Sequence, residues 1–178
     1  MDNFREEVAV KHNRTGNMIL YGLSWIAIVA LGFIALLAFS AIMAMQFTIP
    51  NFIQLGVCGG LAYLIWRKKD DLRIEYDYTF TNGDLDVAKV FGNSRRKLMT
   101  SLTVKNVEAC GAVTHQSFQR YMTMKDCKKH NWFVNRDAQL FYFYFSKDSV
   151  KRIIIIEVSD EMLALIKRYA APGAYQVN

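Results

Sequence analysis

From Met18 to Trp66 the chain holds no Asp, Glu, Lys, Arg or His, and no other feature restricts its folding so severely. A polar break from Gln46 to Asn51 divides the stretch into two apolar runs, Met18 to Met45 and Phe47 to Trp66. The hydrocarbon core of a bilayer is roughly 30 Å thick and takes about 20 apolar residues of helix at about 1.5 Å rise per residue. Both runs meet that length, so the sequence predicts a transmembrane helical hairpin over residues 18–66. The first run would extend about 42 Å as a straight helix, so it must tilt or begin in the headgroup layer, where Tyr21 and Trp25 are at home. The absence of any ionisable group from both spans argues against an ion path or a transporter.

The flanks set the orientation. Lys11 and Arg14 precede the first run, Arg67, Lys68 and Lys69 follow the second, and the bend between them is uncharged. Positive charge stays on the cytoplasmic side, which predicts a multi-pass protein of the plasma membrane with both termini in the cytoplasm. Residues 1–17 then form a cytoplasmic N-terminal segment. Phe4 and Val8 lie four apart, which fits a short interfacial helix, and a frayed tail fits equally well. Within the second span Gly56 and Gly60 make a small-xxx-small pair for close helix packing, either inside the hairpin or between two copies of the chain.

The formal net charge is +6, and before the first run Arg5, Lys11 and Arg14 cancel Asp2, Glu6 and Glu7. The whole excess therefore belongs to residues 67–178. Beside a negative cytoplasmic leaflet such an excess has an immediate use, since each nearby Lys or Arg gains about 1 kcal/mol. Nucleic acid is not expected as a partner of a domain tethered to a membrane. Three cysteines, Cys58, Cys110 and Cys127, make no disulfide framework and fit a reducing compartment.

After Trp66 the pattern changes from helical to alternating. Tyr76, Tyr78 and Phe80 fall on one face of a strand with polar residues between them. Asn82-Gly83 suits a two-residue hairpin turn, because both residues tolerate positive φ. A second strand runs from Asp84 to Phe91 with a slip at Ala88 consistent with a bulge, and Gly92-Asn93-Ser94 turns the chain again. Further strands are expected over 95–102, 107–113, 140–145 and 153–158, with one around Tyr121 to Cys127. Leu140 to Phe145 and Ile153 to Val158 are apolar on both faces and need cover on both sides. Ser159 is a good N-cap for a helix with Asp160 and Glu161 in its first turn and Lys167 and Arg168 in its last. Met162, Leu165, Ile166 and Tyr169 give that helix one apolar face, and Pro172-Gly173 ends it. The fold class is α+β: a helical hairpin, then an antiparallel β roll or partial barrel over residues 67–178, capped by a C-terminal helix.

Glu75-Tyr76-Asp77-Tyr78, Thr81-Asn82-Gly83-Asp84-Leu85-Asp86, Arg95-Arg96-Lys97 and the ending Met162 to Tyr169 together resemble an uncharacterised family of short two-helix membrane proteins of Gram-positive bacteria that carry a bacterial pleckstrin-homology-like (PH-like) cytoplasmic domain. The resemblance covers most of the chain. It implies binding and not catalysis, with loops at the open end of the roll meeting lipid headgroups in some members and peptides in others.

Arg95, Arg96 and Lys97, placed directly after a turn, are candidates for phosphate or headgroup contact, since the Arg fork suits phosphate; a solvated strand start explains them as simply. Arg67, Lys68 and Lys69 are candidates for contact with anionic lipid at the membrane surface. Cys127 and His130 have the spacing of a zinc half-site that Cys110 and His115 could complete, but nothing in the sequence enforces that pairing, and buried thiols with surface histidines are the simpler account. No glycine-rich phosphate loop, nucleophile elbow or His-Glu-x-x-His occurs, so no enzyme, metal or cofactor is expected. The sequence thus predicts a membrane-anchored binding or scaffolding module for a protein partner or a second copy. An anionic-lipid sensor working through the basic loop is the alternative.

Overall fold

The computed structural model describes residues 3–92 and 94–176. Its contacts divide into two compact units, residues 13–74 and residues 3–12 with 75–176.

In the first unit two apolar helices, α1 (Thr15–Met43) and α2 (Ile49–Lys68), pack on each other. Their less exposed positions recur at spacings of three and four: Tyr21, Ser24, Ile28, Leu31, Ala35, Ala38 and Ile42 on α1, Leu55, Cys58, Ala62, Ile65 and Lys69 along α2 and the turn that follows it. Alanine at the seam lets the two backbones approach. α1 ends in a Schellman motif, with Met45 at φ 62°, its N–H bonded to the Ile42 carbonyl and the Gln46 N–H bonded to the Ala41 carbonyl. Pro50 then sits in the first turn of α2, where its missing N–H costs nothing. Both helices are long and apolar enough to cross a membrane.

The second unit contains two sheets. The first has the order β1-β2-β3-β4, built from Phe4–Ala9, Ile74–Thr81, Asp84–Phe91 and Arg95–Thr103. The second has the order β6-β8-β7-β5-β9, built from Cys127–Trp132, Val150–Glu157, Leu140–Lys147, Ala109–Ala112 and Tyr175–Gln176. Helix α3 (Gln116–Met122) follows β5, and α4 (Asp160–Tyr169) follows β8. The Asn82-Gly83 turn has φ of 50° and 103°, and the register of β3 on β4 shifts between Val87 and Ala88 where the alternation slips. The turn expected at Gly92-Asn93-Ser94 includes Asn93, which lies outside the described residues. Ser159 caps α4, its hydroxyl accepting the Met162 N–H at 3.2 Å.

Three sequence readings are corrected. Residues 4–9 are neither a helix nor a frayed tail but β1, antiparallel to β2 with Phe4 opposite Thr81 and Ala9 opposite Tyr76. A spacing of four between Phe4 and Val8 fits two strand periods as well as one helical turn, and the strand prevails because β2 offers a free edge. The strand expected over 121–127 is largely the helix α3 and its exit, with β6 beginning at Cys127. Its cap was obscure because His115 replaces the usual Ser or Asp, the ring accepting the Ser117 N–H at 3.2 Å. The strands are also not all antiparallel, since β6 runs parallel to β8 and β9 parallel to β5.

The core explains why β7 and β8 are apolar on both faces. Tyr142, Tyr144, Ile153 and Ile155 are covered by Phe118, Tyr121 and Met122 of α3. Phe141, Phe143, Ile154 and Ile156 face the other way and are fully buried, as are Tyr78, Phe80, Leu85, Val87, Met162 and Ile166. Tyr78 ties the sheets together: its hydroxyl donates to the Trp132 carbonyl at 2.5 Å and accepts the Glu157 N–H at 3.4 Å. Gly83 cannot be enlarged without strain, because a Cβ there would stand 2.7 Å from the Tyr169 ring.

Both chain connections to the helices leave from paired neighbours, β1 and β2, so the helices interrupt a β-hairpin. A soluble form is therefore predicted in which residues 1–12 are joined through a short turn to residues 75–178. It should melt cooperatively in a calorimeter. A form starting at residue 75 lacks β1 and should melt at least about 10 °C lower or fail to fold, since about 1 kcal/mol moves Tm by roughly 4–8 °C at this size. Equal melting of the two would show that β1 contributes nothing.

Candidate functional site

The basic run after the second turn does not act as one cluster, because alternation along β4 sends its members to opposite faces. Arg96 pairs with Val90, and its guanidinium reaches Asp77 Oδ2 in a short ion pair and Glu6 Oε1 at 3.3 Å. Asp77 is 5 % exposed, so this contact satisfies a buried carboxylate. The hydrogen bond and charge of Asp77 first, and Glu6 after it, raise the Arg96 pKa further.

Arg95 and Lys97 lie on the other face, opposite Phe91 and Lys89. Lys89 Nζ and the Arg95 guanidinium each stand 4.9 Å from the centre of the Phe91 ring. Lys89 and Lys97 are direct cross-strand partners of like charge, an arrangement that costs stability when nothing negative lies between. Among the described residues none of these three cations has a carboxylate partner. Residues 95–98 are all exposed, and β4 is an edge strand whose outer side has no neighbour in its sheet among the described residues. Lys89 is the member that sequence reasoning missed. Its signal was present: a turn expected over 92–94 sets position 89 opposite position 97, as the register has it.

The basic run at the end of α2 also divides. Arg67 and Lys68 are exposed, whereas Lys69 is 9 % exposed, lies over Trp25 at 4.9 Å and Tyr21 at 5.6 Å, and bonds Asp70 at 2.9 Å. Arg73 covers the same Tyr21 ring, and Asn17 donates to the Leu72 carbonyl at 2.7 Å. Lys69 is thus a clamp between the start of α1 and the end of α2. Gly56 and Gly60 fall outside the α1–α2 seam, and a Cβ on either would meet nothing within 4 Å.

The thiols and imidazoles do not converge. Cys110 on β5 and Cys127 on β6 are separated by β7 and β8, about 14 Å at the usual strand spacing. Cys127 and His130 point to opposite faces of β6, His130 stacking on Trp132 at 5.0 Å. Burial pushes the Cys110 thiol up to about 12 and raises that of Cys127, so neither is primed as a nucleophile. Burial first, then Arg152 and Lys128, lowers the His130 pKa.

Two further polar groupings are structural joints. His115 Nδ1, Ser117 Oγ and Tyr142 Oη form a chain of 2.6 and 2.7 Å contacts. Since Nδ1 already accepts a backbone N–H, the ring nitrogen is a helix cap and not a free base. A cleft of about 410 Å³ between β1 and the start of α4 is lined by Arg5, Glu7, Tyr78, Glu157 and Ser159, whose polar atoms satisfy one another or nearby backbone. Glu7 accepts both the Ser159 hydroxyl and its N–H, the latter at 3.1 Å, and Arg5 Nε at 2.9 Å. Glu157 accepts the N–H groups of Val134 and Asn135 and the Asn135 amide.

Among known proteins, a family model described as a bacterial PH-like domain (DUF6106) matches residues 1–175. Neither the curated proteins nor the solved structures give a match.

The division of the basic run predicts unequal substitutions. Arg96→Met strands the Asp77 carboxylate and should lower stability in urea melts by about 1–3 kcal/mol. Arg95→Met and Lys97→Met should each change it by less than about 0.5 kcal/mol, as exposed substitutions do. Equal losses at all three positions would contradict the assignment.

Proposed function

The chain belongs to the bacterial PH-like domain family, and from that premise we propose that it is a non-enzymatic, membrane-anchored binding module. The observation that carries the reading is the insertion of two membrane-length apolar helices between β1 and β2. The helices form a transmembrane hairpin in the plasma membrane of a Gram-positive bacterium, and α4 caps the β roll. Both ends of the hairpin return to the cytoplasm, so the domain is tethered by two short links beside the inner leaflet, where a protein partner meets it. Arg67 and Lys68 hold anionic headgroups at the end of α2, and Lys69 sets the helix ends. Gly56 and Gly60, on a face the hairpin does not use, remain available to a helix of another chain. PH-like domains are generally non-catalytic, and the raised thiol pKa values fit that role.

A second reading has a specific observation in its favour. Three cations without carboxylate partners among the described residues, Lys89, Arg95 and Lys97, could face lipid phosphates, making the domain an anionic-lipid sensor. Ionic strength discriminates the two, because headgroup binding through exposed cations weakens steeply with salt, whereas a contact with apolar and backbone content persists.

The anchored arrangement predicts a definite labelling pattern. With Cys58 replaced by Ser, a cysteine at position 45 should react with an impermeant maleimide on intact cells. A cysteine at position 148 should react only after permeabilisation. The reverse pattern, or reaction of both on intact cells, would refute the cytoplasmic placement of the domain.

A further inference from the structure

Among the described residues the outer edge of β4 is free over its first half, and its charge specifies what can pair with it. An edge strand presents the N–H and C=O groups of alternate residues outward, ready to accept another strand. At Ser101 the edge is covered, since Lys147 Nζ donates to that carbonyl at 3.2 Å. Before it, Arg95 to Leu98 are exposed, Leu98 at 60 %. On one face of this segment stand Arg95 and Lys97, two residues apart and so roughly 6.6–6.8 Å along the strand, with Lys89 behind Lys97 on β3. On the other face Arg96 is already neutralised by Asp77 and Glu6.

We propose that the β4 edge from Arg95 to Leu98 captures an extended acidic segment of a partner protein as an added antiparallel strand, with carboxylates at alternate positions meeting Arg95 and Lys97 and Lys89 adding its charge from behind Lys97. The inference rests on the binding-module reading above and names the chemistry of its partner. Three features converge on this occupant. Free backbone groups give an extended chain its ladder. The two-residue spacing of Arg95 and Lys97 matches side chains projecting from one face of a strand. The Lys89–Lys97 repulsion is relieved only by negative charge brought to that face. A second copy of β4 is disfavoured, because antiparallel self-pairing sets cation against cation. The Phe91 ring is flanked by Lys89 and Arg95, so it is not presented as a bare wedge for lipid.

The test uses the full-length protein in nanodiscs of phosphatidylcholine and a fluorescent peptide of about ten residues in which Glu alternates with Thr. A second peptide of the same sequence carries N-methyl groups on alternate backbone nitrogens, which preserves charge and abolishes strand pairing. The proposal expects saturable binding of the first peptide, at least about tenfold weaker binding of the second, and at least about tenfold weaker binding to the R95E/K97E variant. Lys89→Ala gives an intermediate loss, and a melting curve for each variant confirms the fold. Equal binding of both peptides would overturn the proposal in favour of unspecific charge attraction. No peptide binding, with the protein's contact to phosphatidylserine nanodiscs lost in R95E/K97E, would overturn it in favour of lipid. Concentration-dependent dimerisation that R95E/K97E abolishes would assign the edge to a second copy. In each of these failures the labelling pattern at positions 45 and 148 still reports separately on the anchored reading.

Discussion

The pairing of β1 with β2 is the constraint on which the rest of the second unit depends. β1 supplies the outer neighbour of β2, carries Glu6 to the Arg96 network, and carries Glu7 to Ser159 at the start of α4. A bond from Glu7 to the residue that caps α4 couples the first strand of the chain to its last long helix. That helix in turn buries Met162 and Ile166 and sets Tyr169 edge-on to Phe80. Because a carboxylate at a helix N-terminus also meets the favourable end of the dipole, Glu7 serves pairing and capping together. Two apolar helices intervene between strands that must find each other, so the loop they close includes the whole of residues 10–73. Loop-closure entropy rises only slowly with length, and helices that pack on each other return their ends to one side.

Electrostatics in the domain follow from strand alternation more than from local charge density. Three consecutive cations on β4 look like one patch in a line of text, but a pleated strand gives one of them to a buried aspartate and two to the opposite face. Arg96 is spent on structure; Arg95 and Lys97 join Lys89 around a phenylalanine. Helical periodicity divides the run at residues 67–69 in a similar way, the end of α2 turning Lys69 over two aromatic rings and leaving Arg67 and Lys68 outside. In both places the basic residue nearest the middle of the run or its end is the one least available to a partner.

Much of the fold was legible because its signals are local. Charge-free runs marked α1 and α2, Asn82-Gly83 marked the first hairpin, the slip at Ala88 marked the register shift, and Ser159 with Asp160 and Glu161 marked α4. The failures came where the decisive contact is remote. Residues 4–9 read as helix or tail because the edge they pair with lies some seventy positions later, in β2. α3 was hidden by a histidine cap, and its apolar residues became meaningful only as cover for Tyr142 and Tyr144. Parallel pairing of β6 with β8 has no hairpin turn to announce it. In the basic run the sequence marks three cations after a turn, and the commitment of Arg96 to Asp77 needs the width of the sheet. Lys89 could have been reached by counting across the turn.

The claim that the helices interrupt a paired β1–β2 hairpin is tested most directly by a cross-link. Glu6 and Thr79 are opposite one another across that pair, and neither is buried. Cα atoms of antiparallel partners lie about 4.5–5.5 Å apart, within reach of a disulfide. In a full-length E6C/T79C variant with Cys58 replaced by Ser, mild oxidation followed by proteolysis between the two sites should yield a disulfide-joined peptide pair, with melting unchanged or raised. Recovery of two free thiols under the same oxidation would contradict the pairing and, with it, the account of how this domain is built around its helices.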